Sequence, residues 1–237
     1  MSSILLYSPC MPEGPWFRYL ENGYIEVQNI GVPKSSSFPS NVHQWKSLIY
    51  KYSSMWKISP SIVAAFMCQE SGGHEKAVST SNAYGLMQML LSTAKMWGNR
   101  YYGINPDTIT IQSLFDPEFN IKLATAGIAD LMREHNNNIV RAAAYYNSGK
   151  NACSDCYTDS KTGEKHCCPP SRWGLRTNCG YIDAIIRFNN AAIDLGYSGI
   201  PILITRSPVW TAVAFVSSAV LAGSVVIFGA KKGLFRG

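Results

Sequence analysis

Apolar residues recur at helical spacings through most of the middle of the chain. In "NVHQWKSLIYKYSSMW", Trp45, Leu48, Ile49, Tyr52 and Trp56 share one face at intervals of three and four, which predicts a helix from Asn41 onward. Ser59-Pro60 reads as N-cap and first helical position of "SIVAAFMCQES", with Gly72-Gly73 as its stop. Further helices are expected at "STAKMWGNRYY", capped by Ser92, at "DPEFNIKLATAGIADLMREH", capped by Asp116 with Pro117 in its first turn, at "NIVRAAAYYN" and at "YIDAIIRFNNAAIDLG". No alternating segment is long enough to argue for a substantial strand, and no internal repeat is present. The expectation is a mainly α domain.

Both ends depart from this pattern. Residues 1–40 are rich in Pro, Gly and Ser, with aromatics between them, and read as an extended arm that lies on something rather than a domain. The first sixteen residues hold neither a basic segment nor a long apolar run, so no secretory signal is expected there. At the other end Val209–Ala230 carries no charge and would extend roughly 33 Å as a helix, enough to cross a bilayer core. Lys231, Lys232 and Arg236 follow it, which favours a cytoplasmic C-terminus. The organisation expected is thus an arm over 1–40, a helical domain over 41–200, and a single transmembrane helix with a basic tail over 207–237.

Composition adds exclusions. The 237 residues, 46% of them hydrophobic, suffice for one real core. The net charge of +6 is spread without a Lys/Arg block or an interleaved aromatic stripe, which argues against a nucleic-acid partner.

The candidate chemistry centres on Glu70. It falls in the last turn of a nearly all-apolar helix, after Phe66, Met67 and Cys68 and with no Lys or Arg in the five residues before it. Burial there disfavours the charged carboxylate and keeps the acid protonated near neutral pH, poised to donate a proton. Gln69, Gln88, Tyr145, Tyr146, Asn147 and Tyr181 supply the amides and aromatic faces that a sugar cleft needs.

In this setting the sequence resembles the catalytic domain of the soluble-lytic-transglycosylase family, related in fold to goose-type lysozyme. The "QES" at 69–71 is similar to its acid motif and "YGLMQM" at 84–89 to its Gly-Leu-Met-Gln motif, with Glu70 and Gln88 separated by 18 positions. "STA", "DPEFNI" and "AYYNSG" follow in family order, and the resemblance runs from about Met55 to Tyr197. Leu91 stands where the family usually has Pro, and the usual Glu-Thr-Arg lead-in to Tyr181 is absent.

The resemblance implies cleavage of peptidoglycan by one acid/base, Glu70, giving 1,6-anhydromuramic ends without a cofactor. It also implies that Ser71 hydrogen-bonds near the reacting sugar, Gly85 lets backbone approach the glycan, Met87 and Gln88 line the cleft, Tyr146 and Asn147 hold the sugar, and Tyr181 orients Glu70. If Glu75 were a second functional acid, the enzyme would instead be a lysozyme-like hydrolase. A non-catalytic glycan-binding or structural membrane protein is the other alternative.

Expected partners are therefore glycan strands, a lipid bilayer through 209–230, and capsid or envelope-complex proteins through the arm. The implied location is a virion membrane, as in a membrane-containing bacteriophage opening the wall for genome entry, or a bacterial inner membrane beside a secretion apparatus. Five of the seven cysteines lie between residues 150 and 180. Three readings stay open for them: two disulfides with one thiol over, a zinc site of Cys153, Cys156, Cys167 and Cys168 with His166 as a substitute ligand, or free thiols.

Overall fold

The computed structural model describes residues 17–27, 31–33, 37–149, 157–158, 165–166 and 179–198. The chain enters through a hairpin of β1 (Phe17–Tyr19) and β2 (Ile25–Val27). A 3-10 turn, Ser40–Trp45, leads into α1 (Lys46–Trp56) and α2 (Pro60–Glu70). A second short ladder, β3 (Ala83–Tyr84) with β4 (Met89–Leu90), precedes α3 (Leu91–Tyr102), α4 (Pro117–Glu134) and α5 (Ile139–Ser148). A third ladder pairs β5 (Tyr157–Thr158) with β6 (Lys165–His166), and α6 (Cys179–Asp194) closes the order.

Helix α2 is the centre of the core. Every residue from Pro60 to Cys68 is buried, because the helix is apolar on all sides and is covered by α6 and α1. Ile62, Val63, Phe66 and Met67 are fully enclosed, each contributing on the order of 2 kcal/mol by leaving water. Pro60 occupies the first turn as expected, but the Ser59 hydroxyl bonds Ser61 rather than the helix's own N–H groups. One expected cap, Asp116, acts as such, and Asn138 caps α5 without having been expected to. Asp116 accepts from the Phe119 N–H at 2.7 Å, and Asn138 accepts from the Arg141 N–H at 3.0 Å.

Ser92 does not cap α3. Strand β4 runs straight into that helix, Leu90 takes the N-cap position without a side-chain bond, and Leu91 is the first helical residue. That position tolerates Pro or Leu equally well, since its N–H has no intrahelical acceptor. The substitution noted at Leu91 therefore leaves the turn intact.

The reading of residues 1–40 as an extended arm needs correction over residues 17–27. These form an antiparallel hairpin in register Phe17↔Val27 and Tyr19↔Ile25, with Phe17, Ile25 and Val27 buried in the domain core. The Asn190 side chain accepts from the Ile25 N–H at 2.9 Å and donates to its carbonyl at 3.1 Å, serving as the missing neighbour strand. Asn189 donates to the Gly23 carbonyl at 3.2 Å while accepting from Ser61 on α2 at 2.8 Å. The hairpin is thereby part of the domain that α2 and α6 build.

No helix among the described residues is long and apolar enough to cross a membrane; the apolar run 209–230 lies outside them. No group of three or more His, Cys, Asp or Glu among the described residues could hold a metal ion. The side chains of Cys153, Cys156, Cys167, Cys168 and His166 lie outside the described set.

Candidate active site

Helix α2 delivers Glu70 as its last residue, and two glycines with positive φ, Gly72 and Gly73, turn the chain away. The carboxyl lies among apolar neighbours at the negative end of a helix dipole, two influences that oppose its ionisation. Burial pushes its pKa from the ordinary 4.5 up to about 7, partly offset by a hydrogen bond that the Tyr181 hydroxyl donates to Glu70 Oε1. Tyr181 is buried near the start of α6, which packs along α2, so it stands behind the acid. Its own pKa is raised by burial and by the Glu70 charge, so it stays a neutral donor.

The loop from Gly85 to Gln88 faces the end of α2. The Ser71 hydroxyl donates to the Leu86 carbonyl at 2.7 Å and accepts from the Gly73 N–H at 3.1 Å. Ser71 thus ties the two segments together, and its hydroxyl is already committed within the protein. Gly85 has a φ of +78°, and a Cβ there would lie 2.2 Å from the Leu114 carbonyl oxygen and 2.6 Å from Asn120 Nδ2. Close packing against the Leu114 backbone and the Asn120 side chain by itself requires the glycine. Met87 is fully buried, so its side chain is core; it offers the site only its carbonyl, which accepts from the Tyr146 hydroxyl at 2.8 Å.

Asn120, on α4, holds this loop in place. Its oxygen accepts from the Met87 N–H at 2.8 Å, and its amide donates to the Leu114 carbonyl at 2.8 Å and the Tyr84 carbonyl at 3.1 Å. The residue is wholly buried, and these bonds satisfy both ends of its amide. Gln88 has a positive φ of 44°, a conformation that costs a non-glycine residue on the order of 1 kcal/mol. Its amide nitrogen donates to the carbonyls of Ala77 at 3.1 Å and Gly85 at 3.0 Å, which fixes the side chain beside the acid.

A cleft of about 300 Å³ opens here, and Glu70, Gln88, Tyr146 and Asn147 line it together. Tyr146 is set edge-on to Phe66 of α2 at 5.0 Å, and burial raises its pKa well above the usual phenol value. Six further lining residues escaped the sequence reading: Ala83, Leu90, Trp97 and the hydroxyl-bearing Ser79, Ser81 and Thr93. Met89 contributes as well, although it is almost entirely buried. Among the described residues Glu70 is the one carboxylate lining the cleft; Glu75, beyond the Gly72-Gly73 turn, does not line it. A protonated acid set beside a fixed amide and aromatic walls can donate a proton to a polar oxygen held in the cleft.

Comparison with known proteins gives a consistent picture. A model of the transglycosylase SLT domain matches residues 47–166. An endo-type membrane-bound lytic murein transglycosylase A of Enterobacter sp. (strain 638) is 40% identical over 88 residues, which is 37% of this chain and 43% of that protein. A protein of the same description from Cronobacter sakazakii (strain ATCC BAA-894) matches to the same extent. The chain thus spans less than half the length of these curated relatives. The X-ray structure of an inactive mutant of lytic transglycosylase Slt from Pseudomonas aeruginosa superposes with a TM-score of 0.52 at 22% identity, over 65% of this chain and 25% of that one. That likeness is one of fold.

Proposed function

The chain belongs to the transglycosylase SLT domain family, and from that premise we propose that it is a lytic murein transglycosylase that cuts glycan strands of peptidoglycan with Glu70 as its one acid/base. The observation that carries the reading is the placement of a carboxyl with a pKa of about 7 as the one carboxylate lining the cleft among the described residues.

In the first step Glu70 gives its proton to the oxygen of the bond between N-acetylmuramic acid and N-acetylglucosamine, and the C1–O bond breaks. Glu70, now a carboxylate, takes the proton of the C6 hydroxyl, whose oxygen bonds to C1 and closes a 1,6-anhydro ring. The acid is returned protonated, and no water is consumed. A group that must both give and accept a proton works best with a pKa near the working pH, which is what burial supplies at Glu70. Tyr181 stabilises the carboxylate form that exists between the two steps. Gln88, whose donors are held by backbone carbonyls, presents its amide oxygen to a sugar hydroxyl, and Asn147, exposed at the rim, serves the N-acetyl groups. The apolar run 209–230 would attach the domain to a bilayer, in keeping with the membrane-bound description of the curated relatives.

Incubating purified sacculi with the full chain tests this reading: soluble muropeptides should be released, and the initial rate should fall as pH rises through about 7, because the first step needs Glu70 protonated. Tyr181→Phe removes a bond that favours the carboxylate. The alkaline limb should then move to higher pH while the plateau rate falls about tenfold, since the acid loses its orienting partner. An unmoved limb would separate Tyr181 from Glu70.

A further inference from the structure

Trp97, on α3, forms a wall of the cleft, and Gly127, on α4, lies behind it. A Cβ on Gly127 would stand 2.4–2.5 Å from three atoms of the Trp97 six-membered ring, Cη2, Cζ2 and Cζ3. Carbon atoms do not approach so closely, so the indole occupies the volume that any side chain at 127 would need. The segment "LATAGIAD" is otherwise rich in Ala, and glycine within a helix costs about 1 kcal/mol relative to Ala. Helix propensity therefore gives no reason for Gly127, whereas the indole does.

The ring is held on other sides too. Its centroid is 6.0 Å from that of Tyr146 and 6.5 Å from that of Tyr101. Tyr146 is pinned by its bond to the Met87 carbonyl, and Tyr101 donates to Asp130 Oδ2 at 2.6 Å. Asp130 is held in turn by Arg100 at 2.9 Å and Arg133 at 3.0 Å. With Gly127 against its six-membered ring and two anchored tyrosines beside it, the half-buried indole keeps one part of its surface toward the cleft. An aromatic face fixed in this way suits the apolar C–H face of a sugar ring, which it can cover at little cost in side-chain entropy.

We propose that Gly127 is a positioning residue that sets how deeply Trp97 sits in the cleft wall, and that Trp97 is the platform on which a substrate sugar ring stacks. This rests on the glycan reading of the same cleft. The pair determines the width of the cleft beside Glu70, and hence which glycan strands fit.

A double-mutant cycle on the full chain, with Trp97→Ala, Gly127→Ala and both together, tests the proposal by thermal unfolding and by kinetics on solubilised glycan strands. Trp97→Ala should raise KM about tenfold while kcat stays within about threefold, the pattern of lost ground-state binding. Gly127→Ala alone should lower the unfolding midpoint by about 3 °C or more and raise KM, because the indole is driven from its seat. In the Trp97→Ala background the added methyl should cost nothing further, since the ring it struck is gone.

If Gly127→Ala does not fold, recovery of a folded double variant supports the seat equally well. The proposal is overturned if Gly127→Ala does equal damage with Trp97 absent, if the double variant fails to fold, or if Trp97→Ala leaves KM within about twofold. Should the parent chain cut no glycan, the catalytic reading and the sugar platform fall together, while the unfolding midpoints still decide whether Gly127 seats Trp97.

Discussion

Glu70→Gln should reduce the release of muropeptides from sacculi by about a thousandfold, the contribution expected of a positioned acid/base with no substitute. Gln keeps the shape of the side chain and can still accept the Tyr181 hydrogen bond, but it cannot give or take a proton. The variant should remain folded, and its stability carries a second signature. Because the folded-state pKa of Glu70 is raised from 4.5 to about 7, the native state holds a proton that the unfolded chain releases between those values. Stability contributed by this group is therefore present in full below pH 4.5 and is lost as pH rises through about 7. The cost of ionising the buried carboxyl is on the order of 3 kcal/mol, and Gln removes it. Glu70→Gln should thus unfold at a higher temperature than the parent at pH 8 and at a similar temperature at pH 4. Activity within about tenfold of the parent would take Glu70 out of its role.

Asn120→Ala should be the most damaging change at a residue that does not touch the cleft. It strands the buried Met87 N–H and takes one donor away from the carbonyls of Leu114 and Tyr84, and a buried backbone group left without a partner costs about 1–3 kcal/mol. A loss of roughly 3 kcal/mol or more is a large share of a domain's marginal stability. The loop Gly85–Gln88 should loosen first, so amide exchange at Leu86 and Met87 should accelerate before global unfolding. Asn120→Asp keeps the acceptor for Met87 but brings an oxygen toward two carbonyl oxygens, and it should be no better tolerated. Full stability in both variants would mean that the loop is held by other contacts.

Glu70 was legible because a carboxyl at the end of an otherwise apolar helix is an anomaly in the sequence itself, and Gln88 followed from the resemblance of "YGLMQM" to the family's motif. Proximity to the acid was a weaker guide to how each residue is used. Ser71, Gly85 and Met87 do cluster at the site, yet their side chains or lack of one serve the loop's own packing. A motif tells which residues gather; whether a residue contributes a side chain or a backbone group depends on φ and on burial, which are set by distant segments. Asn120 was missed for that reason. An Asn within a helix usually faces water, and nothing local shows that three backbone groups some 6 to 36 positions away converge on it.

Gly127 and Trp97 are likewise a pairing between two helices, invisible along either one. The hairpin at residues 17–27 was a different kind of omission. "RYLENGYIEV" carries Asn22-Gly23 between alternating apolar residues, a strong hairpin signal, and Gly23 does adopt a positive φ of 86°. The surrounding Pro- and Ser-rich composition drew the reading toward an arm.

The chemistry of the released sugar ends tests the central claim most directly. Mass analysis of the fragments that the full chain releases from purified peptidoglycan should find muramic ends lighter by one water than reducing sugars, as 1,6-anhydro closure by a single recycled acid requires. Fragments with ordinary reducing ends would mean that water attacks C1. The account of Glu70 as the one acid/base would then be wrong, and a second acid, Glu75 first among the candidates, would have to activate that water.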